Sequence, residues 1–494
     1  MLGFPRPAQV SPTSLADLAA SLSVSVESDV RVTGVSLASA RVLPGDLYAA
    51  LPGSRSHGAQ YLPEAVSRGA VAVLTDEVGA KTAAEHGLPC LVVHSPRAAV
   101  GPVAAQVYGD PTAHLRIIGI TGTNGKTSTA YLVESGLRAA GRRTGLIGTV
   151  ETRVGDETIV SERTTPEAPE LQALFAYARE QGVTDIVMEV SSHALALHRA
   201  DGIRFDAGGF TMFGLDHLDF HPDVEDYFAA KAMLFDGRSD TEIINLDEPA
   251  TERLIGPDTV TYSVGESTAD WWASDITGEG FDQSFTVHSP HGGTHAGSVR
   301  LPGRHNVANA LLAYAALDAV GVDAATAVAG VAACPGIPGR MELVSGDGPV
   351  RGVVDYAHKP DAITAVLQAL RPITPGRIIA VLGAGGDRDT GKRPIMGAAA
   401  ANLADLVIVT DDNPRSEDPA AIRAGVLAGV RDTPYLDVAG RAEAVDEAVG
   451  LARPGDTIAL LGKGHESGQE LADRTVPFDD RRILAEALRA AAGA

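Results

Sequence analysis

Hydrophobic and polar residues alternate in blocks along the chain, and one block organises its centre. Residues 117–127 (IIGITGTNGKT) begin with an apolar run and continue into a turn rich in small residues. Lys126 and Thr127 then open a helical stretch over 128–139. A strand, a glycine-containing loop and a helix in this order are typical of a phosphate-binding loop. The pattern therefore predicts a nucleotide site here.

Strand and helix patterns continue to alternate after this loop. A helix is predicted over 167–181, with Pro169 in its first turn, and a strand over 185–190 that ends near Glu189. A further strand, 207–211, leads into the polar segment GLDHLDFHP, and a predicted helix, 224–235, carries Lys231. This alternation predicts a parallel sheet with the nucleotide at the carboxyl ends of its strands.

The two ends of the chain show the same kind of pattern. Before the loop, short strands are predicted over 30–37, 47–51, 71–75 and 91–94, with a helix over 80–86. Near the C-terminus, the apolar runs 377–382, 406–410 and 457–461 each lead into a polar loop. We predict an α/β protein of three domains: an N-terminal α/β substrate domain (1–112), a central parallel-sheet ATPase domain with the phosphate loop (113–340) and a C-terminal Rossmann-like domain (341–494).

Composition narrows the class of protein. A length of 494 residues is too great for one hydrophobic core. The net charge of −23 argues against a nucleic-acid partner, and two cysteines provide no disulfide framework. The first fourteen residues do not resemble a signal peptide, and there is no run of eighteen apolar residues. We therefore expect a cytoplasmic protein without a membrane span, and we expect a monomer.

The phosphate loop supplies the first candidate residues. Small residues let successive backbone N–H groups surround phosphate oxygens, the lysine adds a mobile positive charge, and the threonine hydroxyl can hold Mg²⁺. The usual pattern has glycine where this chain has Ile120. Glu189, at a strand end beside the loop, is placed to orient the metal, although an ordinary loop acid is an equal alternative. The expected ATP contacts are Gly122, Thr123, Asn124, Gly125, Lys126, Thr127 and Ser128.

Three further features of the central part allow more than one interpretation. His217 and His221 are four residues apart, which could suggest zinc, but no third ligand is evident. A role for His217 at the Mg²⁺ site is the stronger hypothesis. The sequence around Lys231, considered alone, predicts an ordinary solvated lysine on a helix. Asn306 and Asn309 lie three apart on one helix face, where they could cap the helix or bind a base or ribose.

The three C-terminal loops could share one ligand. If their strands are parallel, the loops meet at one edge of the sheet. Arg388, Asn413, Arg415 and Glu466 would then offer both signs of charge, which suits a zwitterion such as an amino acid. The glycines at 383–386 make a poor dinucleotide fingerprint, so a nicotinamide cofactor is not expected.

Taken together, the motifs of the chain resemble the Mur ligase family, specifically its MurE type. The spelling TGTNGKT is more similar to the Mur ligase and folylpolyglutamate synthase superfamily than to kinases or GTPases. The resemblance extends over nearly the whole chain. It is carried by PGDLYAALPG, TGTNGKT, EVSSHAL, GLDHLDFH, GRHN, PGRME, DYAHKPDA, GDRDTGKRP, DDNPR and GKGHE.

The resemblance implies substrates and site residues. The implied substrates are UDP-N-acetylmuramoyl-L-alanyl-D-glutamate and meso-diaminopimelate, and the DDNPR segment is implied to recognise the latter. Lys231 is implied to be carbamylated, to help hold Mg²⁺ and to act in catalysis with Lys126 and His217. Further nucleotide contacts are assigned to Asn309, Arg340 and Asp355. The matching substrate positions are Leu37, Ser39, Ser54, Arg55, Ser56, Thr164, Thr165, Ser191, Arg199, Arg388, Asp412, Asn413, Pro414, Arg415, Gly462 and Glu466.

Two departures affect individual substrate contacts. The Asp-Ser-Arg common in the first domain of this family is Ala38-Ser39-Ala40 here, and Leu197 replaces a glutamine often found two residues before the matching arginine. These departures concern the uracil and muramoyl contacts and leave the family resemblance intact.

The implied reaction is amide formation through an acyl phosphate. The D-glutamate side-chain carboxylate attacks the γ-phosphoryl group of ATP, and an amine then displaces phosphate. Three alternatives remain: the same ligation with L-lysine, a folylpolyglutamate-synthase-like ligase, or a nucleotide-gated binding protein without turnover. Arg415 discriminates between the two amines, because only diaminopimelate has a second carboxylate for it to grip.

Overall fold

The computed structural model describes residues 4–53, 56–161, 163–345 and 348–492. Its residues form two compact units, Met1–Tyr262 with Leu312–Gly330, and Ser263–Leu311 with Val331–Ala494. They are called the first and the second unit below. None of the helices in the described ranges is long and apolar enough to cross a membrane.

The first unit contains most of the predicted N-terminal and central elements. Its strands are β1 (Thr13–Ser14), β2 (Arg31–Val32), β3 (Gly34–Ser36), β4 (Asp46–Ala49), β5 (Ala72–Thr75), β6 (Cys90–Val92), β7 (Arg116–Thr121), β8 (Thr144–Ile147), β9 (Thr152–Val154), β10 (Glu157–Ile159), β11 (Asp185–Glu189), β12 (Phe205–Phe210), β13 (Ser239–Asn245) and β14 (Val260–Ser263). Its helices are α1 (Leu15–Ser21), α2 (Leu62–Ser67), α3 (Glu77–Glu85), α4 (Pro96–Val107), α5 (Lys126–Ala139), α6 (Ala168–Glu180), α7 (Ser192–Ala196) and α8 (Val224–Ala232).

The N-terminal sheet is parallel, with strand order β3-β4-β5-β6. The predicted single strand over 30–37 is two strands, because the chain changes partner at Thr33. β2 pairs with β1, whereas β3 pairs with β4. Between them, the Thr33 N–H donates to the Gly45 carbonyl at 2.9 Å.

The central sheet of the first unit has the order β10-β9-β8-β11-β7-β12-β13-β14. Strands β8, β11, β7, β12, β13 and β14 are parallel, as predicted. The interior strands β7 and β11 are buried at nearly every position and apolar between their ends, as expected where both faces of a parallel sheet are covered. Strand β7 lies between β11 and β12, and Ile120 is opposite Glu189. The loops after these three strands therefore lie at one edge.

Two predicted helices differ slightly from their patterns. Helix α6 begins at Ala168 because Glu167 forms a capping box with Glu170, each side chain accepting from the other's backbone N–H. Helix α8 begins after Asp223, whose side chain accepts from Asp226 N. It ends at Ala232 and continues as the 3₁₀ turn Met233–Phe235. The predicted helix over 224–235 is therefore present with a tighter last turn.

The second unit contains an antiparallel sheet and the C-terminal α/β elements. Its remaining strands are β15 (Trp271–Glu279), β16 (Asp282–His288), β17 (Thr294–Val299), β18 (Glu342–Leu343), β19 (Arg351–Asp355), β20 (Ile378–Leu382), β21 (Leu406–Val409), β22 (Tyr435–Asp437), β23 (Thr457–Leu461), β24 (Gly468–Glu470) and β25 (Thr475–Pro477). Helices α9 (Arg304–Ala319) and α10 (Ala324–Ala332) have residues in both units. The others are α11 (Pro360–Leu370), α12 (Lys392–Ala401), α13 (Pro419–Leu427), α14 (Arg441–Leu451) and α15 (Asp480–Ala492).

The C-terminal sheet has the order β18-β19-β23-β20-β21-β22, parallel except for β18. The three strands whose loops were predicted to meet, β20, β21 and β23, are parallel neighbours. The Rossmann-like prediction is therefore confirmed, as is the α/β class. Inside this layer, the guanidinium of Arg441 and the carboxylate of Asp480 form a fully buried pair, with Nη2 to Oδ2 at 2.6 Å.

Candidate active site

The phosphate loop runs from the end of β7 to the first residue of α5. Gly122 and Gly125 have φ values of 135° and 86°, a left-handed region that favours glycine. A side chain at Gly122 would also collide with the hydroxyl of Thr211 at the end of β12. Two glycines at these positions therefore let the loop turn sharply and lie against the neighbouring strand.

Hydrogen bonds fasten the loop to the segment after β12. Thr123 N donates to the Met212 carbonyl at 2.8 Å, and the Thr211 hydroxyl donates to the Asn124 carbonyl at 2.6 Å. The Thr123 hydroxyl lies 3.1 Å from the hydroxyl of Tyr227 on α8. The loop is thus held in shape by contacts on both sides. Ser128 lies buried in the first turn of α5.

Two lysines converge on one carbonyl of this loop. Lys126 Nζ donates to the carbonyls of Gly122 and Thr123 at 2.8 and 2.9 Å. Lys231 Nζ donates to the Gly122 carbonyl at 2.8 Å and lies 4.5 Å from the centre of the Tyr227 ring. Lys231 is only 1% exposed. It is therefore not the solvated helical lysine that its sequence context alone suggested.

Thr127 and Glu189 form the oxygen-rich part of the site. The Thr127 hydroxyl donates to Glu189 Oε1 at 2.9 Å. The same carboxylate accepts from the backbone N–H of Thr149 at 2.8 Å and from its hydroxyl at 3.0 Å. Glu189 is 1% exposed. A hydroxyl and a carboxylate in contact are hard oxygen donors, so this pair fits Mg²⁺ chemically.

His217 lies at the side of this cluster. Its ring is 6.0 Å from that of Tyr227 and 4.6 Å from that of His193, and its Nε2 is 2.9 Å from Asp216. Both ring nitrogens of His221 have partners, Asp226 at 2.7 Å and Ser192 at 3.1 Å. Over the described ranges, no group of three or more His, Cys, Asp or Glu side chains is arranged to hold a metal ion.

The residues predicted to contact the muramoyl dipeptide lie around the end of β11. The Thr164 hydroxyl is 3.0 Å from that of Thr149, and the Thr165 hydroxyl donates to the Glu189 carbonyl at 2.9 Å. Ser191 N donates to the Thr165 hydroxyl at 3.2 Å. The structure therefore brings the predicted acceptor-substrate residues next to the predicted metal ligand.

Arg199 adds positive charge beside this group. Its Nε lies 2.9 Å from Glu167 Oε1, and its Nη1 donates to the Thr165 carbonyl at 3.5 Å. Burial lowers the pKa of Arg199 most, and the Glu167 carboxylate opposes this. Arg163 and Arg97 lower the pKa further. Several guanidinium groups so close together provide a positive environment for an anionic ligand.

The predicted first-domain contacts are less closely grouped. Leu37 packs against the N-terminal core. The Ser39 hydroxyl donates to Glu64 at 2.6 Å, and the Ser56 carbonyl accepts from Gly53 N at 3.1 Å. Ser54 and Arg55 lie outside the described residues.

In the second unit, the three C-terminal loops meet as predicted. Asn413 Nδ2 donates to Glu466 Oε2 at 2.9 Å. Lys463, which is fully buried, donates from Nζ to Asn413 Oδ1 at 2.9 Å and to Glu466 Oε2 at 2.8 Å. Lys463 was not singled out from the sequence, although it lies within the GKGHE motif. Its ammonium fixes the relative positions of two predicted ligand-binding side chains.

Arg415 lies beside this group in an unusual conformation. Its φ of 50° is left-handed, which a residue with a side chain rarely adopts. Its Nη1 donates to the Gly386 carbonyl at 2.8 Å. Pro414 accepts through its carbonyl from Glu417 N at 3.1 Å, and Asp412 Oδ1 accepts from Asn413 N at 2.7 Å.

Other predicted positions border these loops. Gly462 has a φ of 117° and donates to the Asp355 carbonyl at 3.1 Å. Arg388 is exposed on the loop after β20.

The remaining predicted nucleotide residues of the second unit form two pairs. Asn309 Nδ2 donates to Asn306 Oδ1 at 3.0 Å. Arg340 lies 4.4 Å above the Tyr356 ring, next to the buried carboxylate of Asp355. Burial raises the pKa of Asp355, while Arg340 and the N–H groups of Met341 and Ala357 oppose the shift. An acid and a guanidinium at this place can bind hydroxyl and phosphate groups.

Family models match the chain in three successive segments. They describe the Mur ligase family catalytic domain over residues 31–108, the Mur ligase middle domain over 120–317 and the Mur ligase glutamate ligase domain over 339–464. The chain belongs to the Mur ligase family.

Individual relatives are similar over the full length. The UDP-N-acetylmuramoyl-L-alanyl-D-glutamate–2,6-diaminopimelate ligase of Streptomyces avermitilis is 52% identical, with 99% of each chain covered. The UDP-N-acetylmuramyl-tripeptide synthetase of Leifsonia xyli is 44% identical, with 98% of each chain covered. A solved structure of a UDP-N-acetylmuramoyl-L-alanyl-D-glutamate–2,6-diaminopimelate ligase matches with a TM-score of 0.69 at 31% identity, covering 97% of this chain and 99% of the other.

Proposed function

We propose that this chain is an ATP-dependent ligase that joins meso-diaminopimelate to the D-glutamate side-chain carboxylate of UDP-N-acetylmuramoyl-L-alanyl-D-glutamate. The observation that carries this proposal is the 52% identity, over 99% of both chains, to a ligase named for that reaction. The reaction makes a peptidoglycan precursor and releases ADP and phosphate. A folylpolyglutamate-synthase-like activity and a binding protein without turnover are not favoured.

The first half-reaction is assigned to the phosphate loop. The D-glutamate carboxylate attacks the γ-phosphorus of ATP, the bond to the bridging oxygen breaks, and an acyl phosphate and ADP result. Lys126 would turn from the loop carbonyls toward the phosphate oxygens and offset their negative charge. The backbone N–H groups from Gly122 to Ser128, apart from that of Thr123, which donates to the Met212 carbonyl, would hold the remaining phosphate oxygens.

Thr127 and Glu189 are the residues that would hold Mg²⁺, with His217 and Lys231 completing the set implied by the family. A bound Mg²⁺ would supply positive charge against the β- and γ-phosphates. Lys231 would serve as a carbamate, formed when its neutral amine adds CO₂ and releases a proton. This converts a buried nitrogen donor into an anionic oxygen pair, which is a suitable hard ligand.

The acceptor substrate is assigned to the residues around the end of β11. Thr164, Thr165, Ser191 and Arg199 would bind the dipeptide part. The hydrogen bond from the Thr165 hydroxyl to the Glu189 carbonyl supports a position close to the phosphate loop. Positioning of this kind can account for roughly 7–11 kcal/mol of a reaction barrier. Leu37, Ser39 and Ser56, with Ser54 and Arg55, are proposed for the uridine and muramoyl groups.

The amine is assigned to the C-terminal loops. Arg415 would bind the distal carboxylate of diaminopimelate, and Asn413 and Glu466 would bind groups at the same end. Arg388, Asp412, Pro414 and Gly462 would complete the surrounding loops. The neutral amine attacks the acyl carbon, the bond to the phosphate oxygen breaks, the nitrogen releases a proton and the amide forms. Lysine has no second carboxylate, so it would not engage the donors of Arg415 that remain beside its bonds to Glu470 and Gly386.

Asn309, Arg340 and Asp355 are proposed as further ATP contacts. Residues 1–112, 113–340 and 341–494 are proposed as the corresponding functional domains, and the three family-model segments support this division. We further propose that the protein acts as a monomer in the cytoplasm.

Phosphate release from purified protein tests the reaction. The assay contains ATP, Mg²⁺, the UDP-muramoyl dipeptide and meso-diaminopimelate, and parallel reactions omit one substrate at a time. We expect sustained release only with all three substrates. Equal release without the amine or without the dipeptide would contradict a ligase.

A further inference from the structure

The loop 411–415 is held by two residues that belong to no motif identified in the sequence. Gln469 Nε2 donates to the Asp412 carbonyl at 2.6 Å, and Glu470 N donates to Asn413 Oδ1 at 3.0 Å. Arg415 N donates to the Glu470 carbonyl at 3.1 Å. Successive residues at the end of β24 therefore fix three of the residues assigned to the amine.

The side chain of Glu470 adds a fourth contact, made to the guanidinium itself. Arg415 Nε donates to Glu470 Oε2 at 2.6 Å, while its Nη1 donates to the Gly386 carbonyl at 2.8 Å. These two acceptors occupy the Nε edge and one Nη1 position. The donors that remain are one on Nη1 and two on Nη2, and one from each nitrogen can grip a carboxylate bidentately at the terminal edge.

The backbone of Arg415 is held as well as its side chain. Its left-handed φ of 50° is costly for a residue with a Cβ and persists only where neighbouring contacts maintain it. The bond from Arg415 N to the Glu470 carbonyl is such a contact. Glu470 thus holds both the backbone and the guanidinium of Arg415.

We propose that Glu470 is a positioning residue for amine selectivity, which orients the terminal edge of the Arg415 guanidinium toward the distal carboxylate of the diamino acid. This inference rests on the proposed function. Glu470 does not itself contact the amine. It acts by ordering Arg415 before the amine binds, so that little side-chain freedom is lost on binding.

The contribution is selective for one substrate. An ordered arginine helps only an amine that has a carboxylate for it to bind, so lysine gains nothing from the arrangement. Immobilising one long side chain on binding typically costs roughly two- to tenfold in affinity. Loss of Glu470 should therefore raise the KM for diaminopimelate by up to about tenfold and leave kcat within about twofold.

Steady-state kinetics of Glu470→Ala and Glu470→Gln test the proposal, with Glu447→Gln, an exposed residue of α14, as the matched control. For Glu470→Ala we expect a higher KM for diaminopimelate and unchanged KM values for ATP and the UDP-muramoyl dipeptide. The lysine rate should also be unchanged. The glutamine variant retains an acceptor for Arg415 Nε, so its KM should lie closer to that of the wild type.

A double substitution separates this role from a structural one. In an Arg415→Ala background, Glu470→Ala should have no further effect on the KM for diaminopimelate, because the residue through which it acts is gone. An equal effect in both backgrounds would overturn the proposal. An unchanged or lower KM in the single variant would also overturn it, by showing that the Glu470 carboxylate is neutral or repels the substrate.

The activity of the wild type distinguishes a wrong role for Glu470 from a wrong proposed function. If wild-type protein ligates diaminopimelate and Glu470→Ala behaves identically, only the role of Glu470 is wrong. If the wild type ligates neither amine, the proposed function fails and this inference fails with it. Thermal unfolding of every variant, compared with the wild type, checks that the fold is retained.

Discussion

Lys126 and Lys231 donate hydrogen bonds to the same oxygen, the carbonyl of Gly122, each at a distance of 2.8 Å. One lysine begins helix α5 and the other lies on α8, so the fold brings together side chains that are far apart in the sequence. Two amines beside one neutral acceptor make a site suited to anions. This convergence places the proposed phosphate-binding lysine and the proposed carbamate at the same point of the loop.

Lys126→Ala should abolish ligation while leaving the fold intact. The side chain would neutralise charge on the transferred phosphoryl group, and loss of one such donor typically lowers kcat by about 10²–10³-fold. Phosphate release measures the effect, and circular dichroism checks the fold. Lys81→Ala, an exposed position on α3, is the control and should behave like the wild type. Normal turnover by a folded Lys126→Ala protein would show that the phosphate-loop assignment is wrong.

Lys231→Ala should also be nearly inactive, by about 10²-fold or more, because the proposed carbamate and its charge are lost. High bicarbonate should partly protect the activity of the wild type. A crystal structure with nucleotide and Mg²⁺ bound gives the direct test, as density for a carbamate should extend from Nζ. A bare amine in that structure would contradict the carbamate.

Arg415→Ala should collapse the preference for diaminopimelate over lysine. A site built to pair a polar group rejects an analogue that lacks it by about 10⁴-fold or more. The variant should therefore lose kcat/KM for diaminopimelate severely while its use of lysine changes little. Separate kinetics with each amine measure the ratio. If both values fell by the same factor, Arg415 would be a structural residue.

Lys463→Met should weaken both amine binding and stability. The buried ammonium is shared by Asn413 and Glu466, and hydrogen bonds to charged groups contribute roughly 1.5–3 kcal/mol each. We expect a higher KM for the amine, an unchanged KM for ATP and a lower midpoint of thermal unfolding. Lys81→Met serves as the control. A variant with wild-type KM and midpoint would show that Lys463 organises neither side chain.

Stability should fall in acid partly through His193. Burial, together with the nearby His217 and His221, lowers its pKa to about 4. Because this value is below the ordinary 6.5, the unfolded chain binds more protons between the two values. The stabilising contribution is therefore complete above pH 6.5 and is lost as the pH falls toward 4.

His193→Gln removes this contribution. When the pH falls from 6.5 to 5, the free energy of unfolding of the variant should decrease less than that of the wild type. The difference should be about 1 kcal/mol after allowance for solvent screening. Thermal unfolding midpoints across this range provide the measurement. His86→Gln, at an exposed position, should follow the wild type. A His193→Gln profile parallel to that of the wild type would exclude the histidine as a source of the pH dependence.

The local pattern of apolar and small residues was sufficient to predict the strand, loop and helix of the phosphate loop, because these elements are continuous in the sequence. The contact between Thr127 and Glu189 also follows from sequence, once β7 and β11 are taken as parallel neighbours. The break between β2 and β3 at Thr33 does not follow from sequence, because it depends on which strand each of the two pairs with. The contacts of Lys463 and Glu470 were missed for a similar reason. Their partners, Asn413 and Arg415, are 50 and 55 residues away, and a lone charged side chain carries no local sign of burial or pairing.

Competition between the two amines tests the central claim most directly. Purified protein is supplied with ATP, Mg²⁺, the UDP-muramoyl dipeptide and equal concentrations of meso-diaminopimelate and L-lysine, and the UDP-linked products are identified by mass spectrometry. The proposed function predicts that the diaminopimelate tripeptide is the dominant product. A predominant lysine tripeptide would contradict the assignment of the amine site, and the absence of any tripeptide would contradict the ligase itself.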